Sequence, residues 1–361
     1  MSSRSILLRT ALSSTATRVL LLTGICSLLL VGCTGAASSP PPTSSSSTQS
    51  ASQVARMPLH VTTSLIHLRG DGPSAFAATG NRLWLASAAA GHGWLYTASE
   101  PSPIFVECAT LQLTPLALAA DQGDVWVLAQ NASGDIRTSV LYQFDGHCHR
   151  VRTVPIPDAS AIAIDASSLW VVLTGPSRST GLARVDRATG ALSSPHLVLP
   201  PAFDGRSSAT SVAPFVLDVA LRTPDGTLNL YQCDMRRATA NPAVNMGVGP
   251  GLLTSSGGTA YIAASVGAPG ITAIPSGTSS SIAVHMSQVQ SLATALGRWW
   301  AVGYSGDPNV LTVMMGRMQV EGEARVPVDG KHGGTPFAVA NDAGFWVVDG
   351  TTLAFVTVAQ P

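Results

Sequence analysis

The stretch LALAADQGDVWVLAQ, residues 116–130, decides the fold. It consists of a β-type run, a tight polar turn and a second β-type run that contains Trp126. Short apolar and aromatic runs on either side of a Gly-containing turn predict a β-hairpin. A Gly/Ser/Asn loop follows, and then come two further β-type runs, VLYQFD and HRVRTVPI. The unit therefore predicts a small sheet of four short strands.

This four-strand unit recurs along the chain. The clearest marker is an aromatic residue inside a short β-type run, found at Trp84, Trp126, Trp170, Tyr261, Trp300 and Trp346. These positions are 39 to 46 residues apart, except for one interval of double length that contains PFVLDVAL, residues 214–221. A later marker, such as LYQFD from Leu141 and LYQCD from Leu230, keeps the same period. A period of roughly 40 to 50 residues is typical of propellers, solenoids and arrays.

The markers predict an all-β protein, a seven-bladed β-propeller of four-stranded antiparallel blades. The seventh unit ends after three strands, whereas LHVTTSLIHL, residues 59–68, is a strand with no unit of its own. We therefore expect the N-terminal strand to close the last blade, because ring closure protects the edges of such sheets. The recurring aromatic rings are expected to fill the seams between neighbouring blades.

The N-terminus has the pattern of an export signal. Three arginines precede an apolar run, residues 19–32, which is shorter than the roughly 20 residues that a membrane-spanning helix needs. The run ends in LVGC, residues 30–33, which resembles the cleavage site of a bacterial lipoprotein, where lipid is attached to the cysteine. The resemblance implies lipidation of Cys33 by acyl chains such as palmitate. The alternative is a general secretory signal with an incidental cysteine.

These patterns predict three regions: a signal peptide over residues 1–32, a Ser/Pro/Thr-rich disordered tether over 33–56, and the propeller over 57–361. The predicted location is the cell membrane, with the lipid-anchored chain on its extracytoplasmic side. Only 11% of the residues are charged and no basic stripe occurs, so the sequence predicts no nucleic-acid partner. We expect a monomer.

The repeats resemble those of the YVTN and streptogramin-lyase-like propellers. The best match is SLWVVLTGPSRSTGLARVDRATG, residues 168–190, with an aromatic-Val pair, a loop, a strand ending in Asp and a Thr-Gly turn. The resemblance implies a seven-bladed fold shared by unrelated activities. Streptogramin lyases place His and Glu with a divalent metal on one face; here Glu321, Glu323 and His332 are the nearest candidates, and solvated turn residues are the alternative. We predict no metal and no cofactor.

The sequence HCH, residues 147–149, permits two interpretations. In a strand, His147 and His149 would share one face and Cys148 would point away, but two ligands make a weak zinc site. The other interpretation pairs Cys148 with Cys108 in a disulfide, which an exported protein permits. Cys233 would then remain unpaired.

Candidate binding residues lie in the loops between the second and third strands of each unit, since loops on a rigid scaffold often carry function. The candidates are His92, Arg137, Arg178, Tyr304 and Asp307, with ordinary turn residues as the alternative. The sequence thus favours a non-enzymatic scaffold of the cell envelope that binds a protein or a small extracellular ligand. The alternative function is a propeller enzyme, a streptogramin-lyase-like lyase or a hydrolase, that acts at the channel mouth.

Overall fold

The computed structural model describes residues 56–359, with gaps at 101–102, 122, 132–137, 166–167, 175–179, 195–196, 202–206, 224–225, 246–247, 257, 267, 276–279 and 329–334. The described residues form strands joined by turns and contain no helix, so none of them could form a helix that crosses a membrane. The predicted signal peptide and tether, together with Cys33, Arg137, Arg178 and His332, lie outside the described residues. The predicted boundaries of the first two regions stay predictions.

The strands form seven antiparallel sheets of four, which confirms the predicted fold class. From the central axis outward, blade 1 consists of β2 (Pro73–Thr79), β3 (Arg82–Ala89), β4 (His92–Ser99) and β5 (Val106–Leu111). Blade 2 consists of β6 (Thr114–Asp121), β7 (Asp124–Gln130), β8 (Ser139–Phe144) and β9 (Arg150–Ile156). Blade 3 consists of β10 (Ala159–Ile164), β11 (Leu169–Thr174), β12 (Thr180–Val185) and β13 (Leu197–Leu199). Blade 4 consists of β14 (Ser207–Ala213), β15 (Val216–Arg222), β16 (Leu228–Asp234) and β17 (Thr239–Asn245). Blade 5 consists of β18 (Val248–Ser256), β19 (Thr259–Val266), β20 (Ala268–Pro275) and β21 (Ser280–Ala283). Blade 6 consists of β22 (Gln288–Ala295), β23 (Arg298–Tyr304), β24 (Val310–Gly316) and β25 (Val320–Pro327). Blade 7 consists of β26 (Phe337–Ala340), β27 (Phe345–Asp349), β28 (Thr352–Val358) and, outermost, β1 (Leu59–Leu65).

The ring closes through pairing of the two ends of the chain, as the sequence predicts. Strand β1 runs antiparallel to β28, with Leu59 opposite Val358 and Leu65 opposite Thr352. Just before β1, the backbone N–H of Met57 donates to the carbonyl of Glu321 in blade 6 at 2.7 Å. The N-terminal strand is thereby held by the last blade and by its neighbour.

Each of the seven seams between blades contains a separate cluster of buried apolar residues. Six of the clusters include the repeat aromatic, which lies on the second strand and faces the following blade, as in the seam of blades 2 and 3, where Trp126 packs. Because a large ring fills the gap between two twisted sheets, these side chains hold the ring together. The predicted structural role of the aromatic residues is therefore confirmed.

The seam between blades 4 and 5 is the exception, because Asp218 occupies the position of the aromatic residue. Asp218 pairs with Gln232 on β16 in the register in which Trp126 pairs with Gln143 on β8. Its side chain is 2% exposed, and its Oδ1 atom has no hydrogen-bond partner among the described residues. Burial raises the pKa of Asp218 to about 6, although a hydrogen bond from Gln232 opposes the rise.

No charge of opposite sign stands across this seam. The strands of blade 5, residues 248–283, contain no Asp, Glu, Lys or Arg. The apolar cluster of the seam consists of small and aliphatic side chains without any aromatic ring. An ionised carboxylate at Asp218 therefore faces no counter-ion across the seam and is almost fully buried, so it weakens this seam relative to the others.

Hydroxyl groups on the inner strands connect the blades on both sides of blade 5. Thr210 and Ser255 share a hydrogen bond between their hydroxyl oxygens at 3.2 Å, and the Ser255 hydroxyl donates to the carbonyl of Ser211 at 2.8 Å. At the next seam, Thr294 donates to the carbonyl of Ser255 at 2.6 Å. At the seam of blades 4 and 5, these bonds add polar contacts where the apolar cluster is the smallest of the seven described.

Candidate functional site

The seven inner strands surround a central channel with a volume of about 530 Å³. Each blade contributes three residues to the lining: 76–78, 118–120, 162–164, 209–211, 253–255, 292–294 and 338–340. None of these lining residues carries an ionisable side chain. The hydroxyl groups are concentrated on blades 4 to 6, where Thr210, Ser255 and Thr294 already bond across the seams, and the other blades contribute alkyl groups and Phe76.

Polar pairs surround one mouth of the channel, on the face of the ring that carries the turns between second and third strands. We call this the 2–3 loop face. The hydroxyl of Tyr304, the last residue of β23, donates to Asp349 Oδ2 at the end of β27 at 3.1 Å. Between blades 2 and 3, Gln130 donates to Asp158 in the same way. Side chains at the ends of second strands thus connect neighbouring blades at this mouth.

The pair of Tyr304 and Asp349 is partly shielded from water. Asp349 is 5% exposed, so its carboxylate depends on protein donors for solvation. Burial, with the negative charge of Asp349 as a further cause, raises the pKa of Tyr304 to about 12. Tyr304 therefore stays protonated and donates at physiological pH. Its role in the structure is to connect blades 6 and 7.

The other predicted candidates on this face have simpler surroundings. Asp307 is exposed and accepts the backbone N–H of Asn309 at 2.8 Å, which stabilises its own turn. His92 is exposed at the start of β4. Arg137 and Arg178 lie outside the described residues. The contacts described for Tyr304 and Asp307 are those of structural residues.

Sequence reasoning missed Asp158, Gln130 and Asp349, which form the polar rim of the channel. A usable signal was present: Gln130 and Asp349 each end a second strand, as Tyr304 does. The side chains of Gln130 and Tyr304 reach the next blade at the mouth, whereas Asp349 accepts from the preceding blade. Strand-end position therefore identifies the rim better than loop membership.

The HCH sequence lies in a turn on the opposite face, between β8 and β9, and does not form a strand. Cys148 has a positive φ of 67°, so the alternation expected in a strand does not apply. The Asp145 side chain accepts hydrogen bonds from the backbone N–H groups of His147 and His149, each at 2.8 Å. These bonds lower the pKa of Asp145, and the bond from His149 has the larger effect. Among the described residues, no group of three or more His, Cys, Asp or Glu side chains is arranged to hold a metal ion.

The cysteines follow the second interpretation of this sequence. Cys148 forms a disulfide with Cys108 of β5, with the two Cα atoms 5.2 Å apart. The bond joins the outer strand of blade 1 to blade 2. Cys233 is free and buried, and burial raises the pKa of its thiol to about 12.

The acidic residues considered for a metal on β25 are both engaged in ion pairs. Glu321 Oε2 lies 2.9 Å from Arg298 Nε in the same blade. Glu323 Oε2 lies 3.0 Å from Arg56 Nη1, just before the first strand. The second contact secures the entry of the chain into the ring. His332 lies outside the described residues.

Comparison of the sequence with protein families and with curated proteins gives no match. Solved structures give matches in fold. The WD40 repeats of RRP9 match with a TM-score of 0.59 at 9% identity, covering 82% of this chain and 97% of that one. An uncharacterised protein from Listeria monocytogenes EGD-e, lmo1340, matches at 0.52 and 11% identity, covering 80% and 92%.

A third match is the extracellular domain of a putative one-component system, BT4673, from B. thetaiotaomicron. Its TM-score is 0.55 at 13% identity, and the alignment covers 82% of this chain but 40% of that chain. At these identities the likeness concerns the fold alone. The chain has the architecture of a β-propeller, and the function must be argued from its own residues.

Proposed function

We propose that this protein is a lipid-anchored scaffold of the cell envelope that displays the 2–3 loop face of its propeller to a protein partner. The proposal combines the lipoprotein-like sequence that ends in Cys33 with the direction in which the chain enters the ring. It concerns binding, and it assigns no reaction to the channel.

The observation that carries the proposal is the orientation of β1. The strand begins at Leu59, opposite Val358, and ends at Leu65, beside the turn between the second and third strands of blade 7. The chain therefore enters on the face opposite to the 2–3 loops. A partner on the 2–3 loop face would therefore not meet the residues at which the described chain enters the ring, Arg56 to Leu59.

The 2–3 loop face has the rigidity that suits a binding platform. Hydrogen bonds between blades, such as those of Tyr304 with Asp349 and of Gln130 with Asp158, fix the rim of the channel. A preorganised surface loses little conformational entropy when a partner binds. Turn residues such as His92 and Asp307 stand exposed around this fixed rim.

The anchor is tested by replacing the cysteine. We expect Cys33→Ser to release the protein from the membrane fraction of its native host, because an acyl anchor requires that thiol. The matched control is Cys26→Ser, which changes a cysteine seven positions earlier in the same signal and should leave the protein in the membrane fraction. Unchanged fractionation of Cys33→Ser would refute the anchor.

The binding face is tested by site-specific photocrosslinking in the native host. One probe replaces Asp307 on the 2–3 loop face and another replaces Asp342 in an exposed turn on the opposite face. We expect a discrete protein adduct from position 307 and none from position 342. Equal labelling at both positions, or an adduct from 342 alone, contradicts the assignment of the face.

A further inference from the structure

A cleft lies between blades 1 and 2 on the face opposite to the 2–3 loops. Its volume is about 480 Å³. The walls are turns rich in glycine together with four polar side chains, and the lining residues are Thr79, Gly80, Asn81, Arg82, Gly123, Gly146 and His147. Two of these side chains, Arg82 and His147, are basic and none is acidic.

The basic group at the base of the cleft has no acidic partner. Arg82 donates to the carbonyl of Gly146, and its guanidinium carbon lies 5.6 Å from the centre of the Trp84 ring. No carboxylate of the described residues forms an ion pair with it. A guanidinium has five N–H donors, so most of its capacity remains available to a ligand.

The internal repeat shows what such an arginine binds. Arg298 precedes Trp300 by two residues, as Arg82 precedes Trp84. In blade 6, Arg298 is paired with the carboxylate of Glu321 at 2.9 Å. Blade 1 keeps the arginine and the aromatic ring, but the described residues supply no carboxylate in the place of Glu321.

The acidic residues nearest in sequence to the cleft are already engaged. Asp124 accepts a hydrogen bond from the side chain of Gln143 at 2.7 Å. Asp145 accepts backbone N–H groups from the turn that contains His147. Neither carboxylate forms an ion pair with Arg82, so the cleft keeps more hydrogen-bond donors than acceptors.

The walls of the cleft are held in place before any ligand binds. The disulfide between Cys108 and Cys148 joins blade 1 to blade 2 at the residue next to His147. The Trp84 ring supports the guanidinium from below. Fixed donors of this kind bind anions with a smaller loss of entropy than mobile surface arginines do.

We propose that this cleft binds a small molecule bearing a carboxylate group, which takes toward Arg82 the place that Glu321 takes toward Arg298. Asn81, Thr79 and His147 supply further hydrogen-bonding groups at the walls. The cleft and the 2–3 loop face lie on opposite sides of the ring, so the ligand proposed here and the partner proposed above would contact different residues.

Calorimetric titration of the detergent-solubilised full-length protein tests the site with acetate, glutarate and inorganic phosphate as probes. We expect glutarate to bind, and Arg82→Gln to weaken that binding at least tenfold. The matched control is Arg236→Gln, which changes an exposed arginine on the same face, outside the cleft, whose guanidinium carbon lies 4.8 Å from the centre of the Phe215 ring. This variant should bind glutarate as tightly as the unaltered protein does.

A second variant covers the case in which removal of Arg82 disturbs folding. Asn81→Asp keeps the arginine and places a carboxylate in the cleft, so we expect an intact fold and a comparable loss of glutarate binding. Glutarate binding that is unchanged in either cleft variant overturns the proposal. Tighter binding of phosphate than of glutarate overturns the assignment to carboxylates.

Discussion

The substitution Asp218→Asn should stabilise the protein at neutral and alkaline pH. Asn keeps the size of the side chain and can still accept the hydrogen bond from Gln232, but it carries no charge into the seam between blades 4 and 5. In the folded protein the pKa of Asp218 lies at about 6, against an ordinary value of 3.8. The folded state therefore holds the proton more tightly than the unfolded chain does.

The size and sign of the effect follow from this linkage. Below about pH 4 the carboxyl group is protonated and does not destabilise the fold. The free energy of unfolding falls as the pH rises from about 4 through about 6. Above pH 7 the ionised group costs about 3 kcal/mol, of which about 1.5 kcal/mol develops between pH 5 and pH 8. The advantage of Asp218→Asn over the unaltered protein should grow by that amount across this interval.

Urea unfolding of both proteins at pH 5 and pH 8 measures this advantage. The difference between the two proteins is informative because every other titratable group is common to both. Parallel dependence of the two unfolding free energies on pH would refute the reasoning, since it would mean that Asp218 ionises without cost in the fold.

Three further predictions concern other contacts in the ring. Trp170→Phe removes an indole hydrogen bond to a carboxylate, whereas Trp126→Phe removes an indole whose N–H has no partner among the described residues, so the first should cost about 1–2 kcal/mol more in urea unfolding. Cys148→Ser opens a disulfide that spans 40 residues and should lower the free energy of unfolding by about 4 kcal/mol, with no further loss on adding a reductant. Spectrophotometric titration should show a tyrosine that ionises near pH 12, and this component should be absent from Tyr304→Phe, which lacks the hydroxyl that donates to Asp349.

The architecture could be predicted because each seam between blades needs a large apolar side chain at the same place. Trp126 and its counterparts therefore mark the period, and the N-terminal strand at Leu59 is recognisable because it lacks a unit of its own. Binary patterning and turn chemistry carry that much information without any knowledge of contacts. The pattern also located the fourth unit, although that unit lacks its aromatic.

The character of the fourth blade and of the channel rim could not be predicted. The sequence places Asp218 in the strand PFVLDVAL, but only the register shows that its carboxylate stands where a ring should be, inside the seam. The hydrogen bond from Tyr304 to Asp349 joins residues in different blades, so no local sequence pattern predicts it. HCH lies at the turn before an outer strand, as its place in the repeat indicates, but sequence periodicity does not reveal the left-handed backbone conformation of Cys148.

The pairing of β1 with β28 sets an order for the completion of the ring. The strand that emerges first from the ribosome finds its partner only when the last strand has been made. Until β28 has been made, β1 and β27 each lack a neighbour, and these unpaired edges are open to association with other chains. A chain that stops before Thr352 would lack β28, so the loss of the last ten residues should cause aggregation.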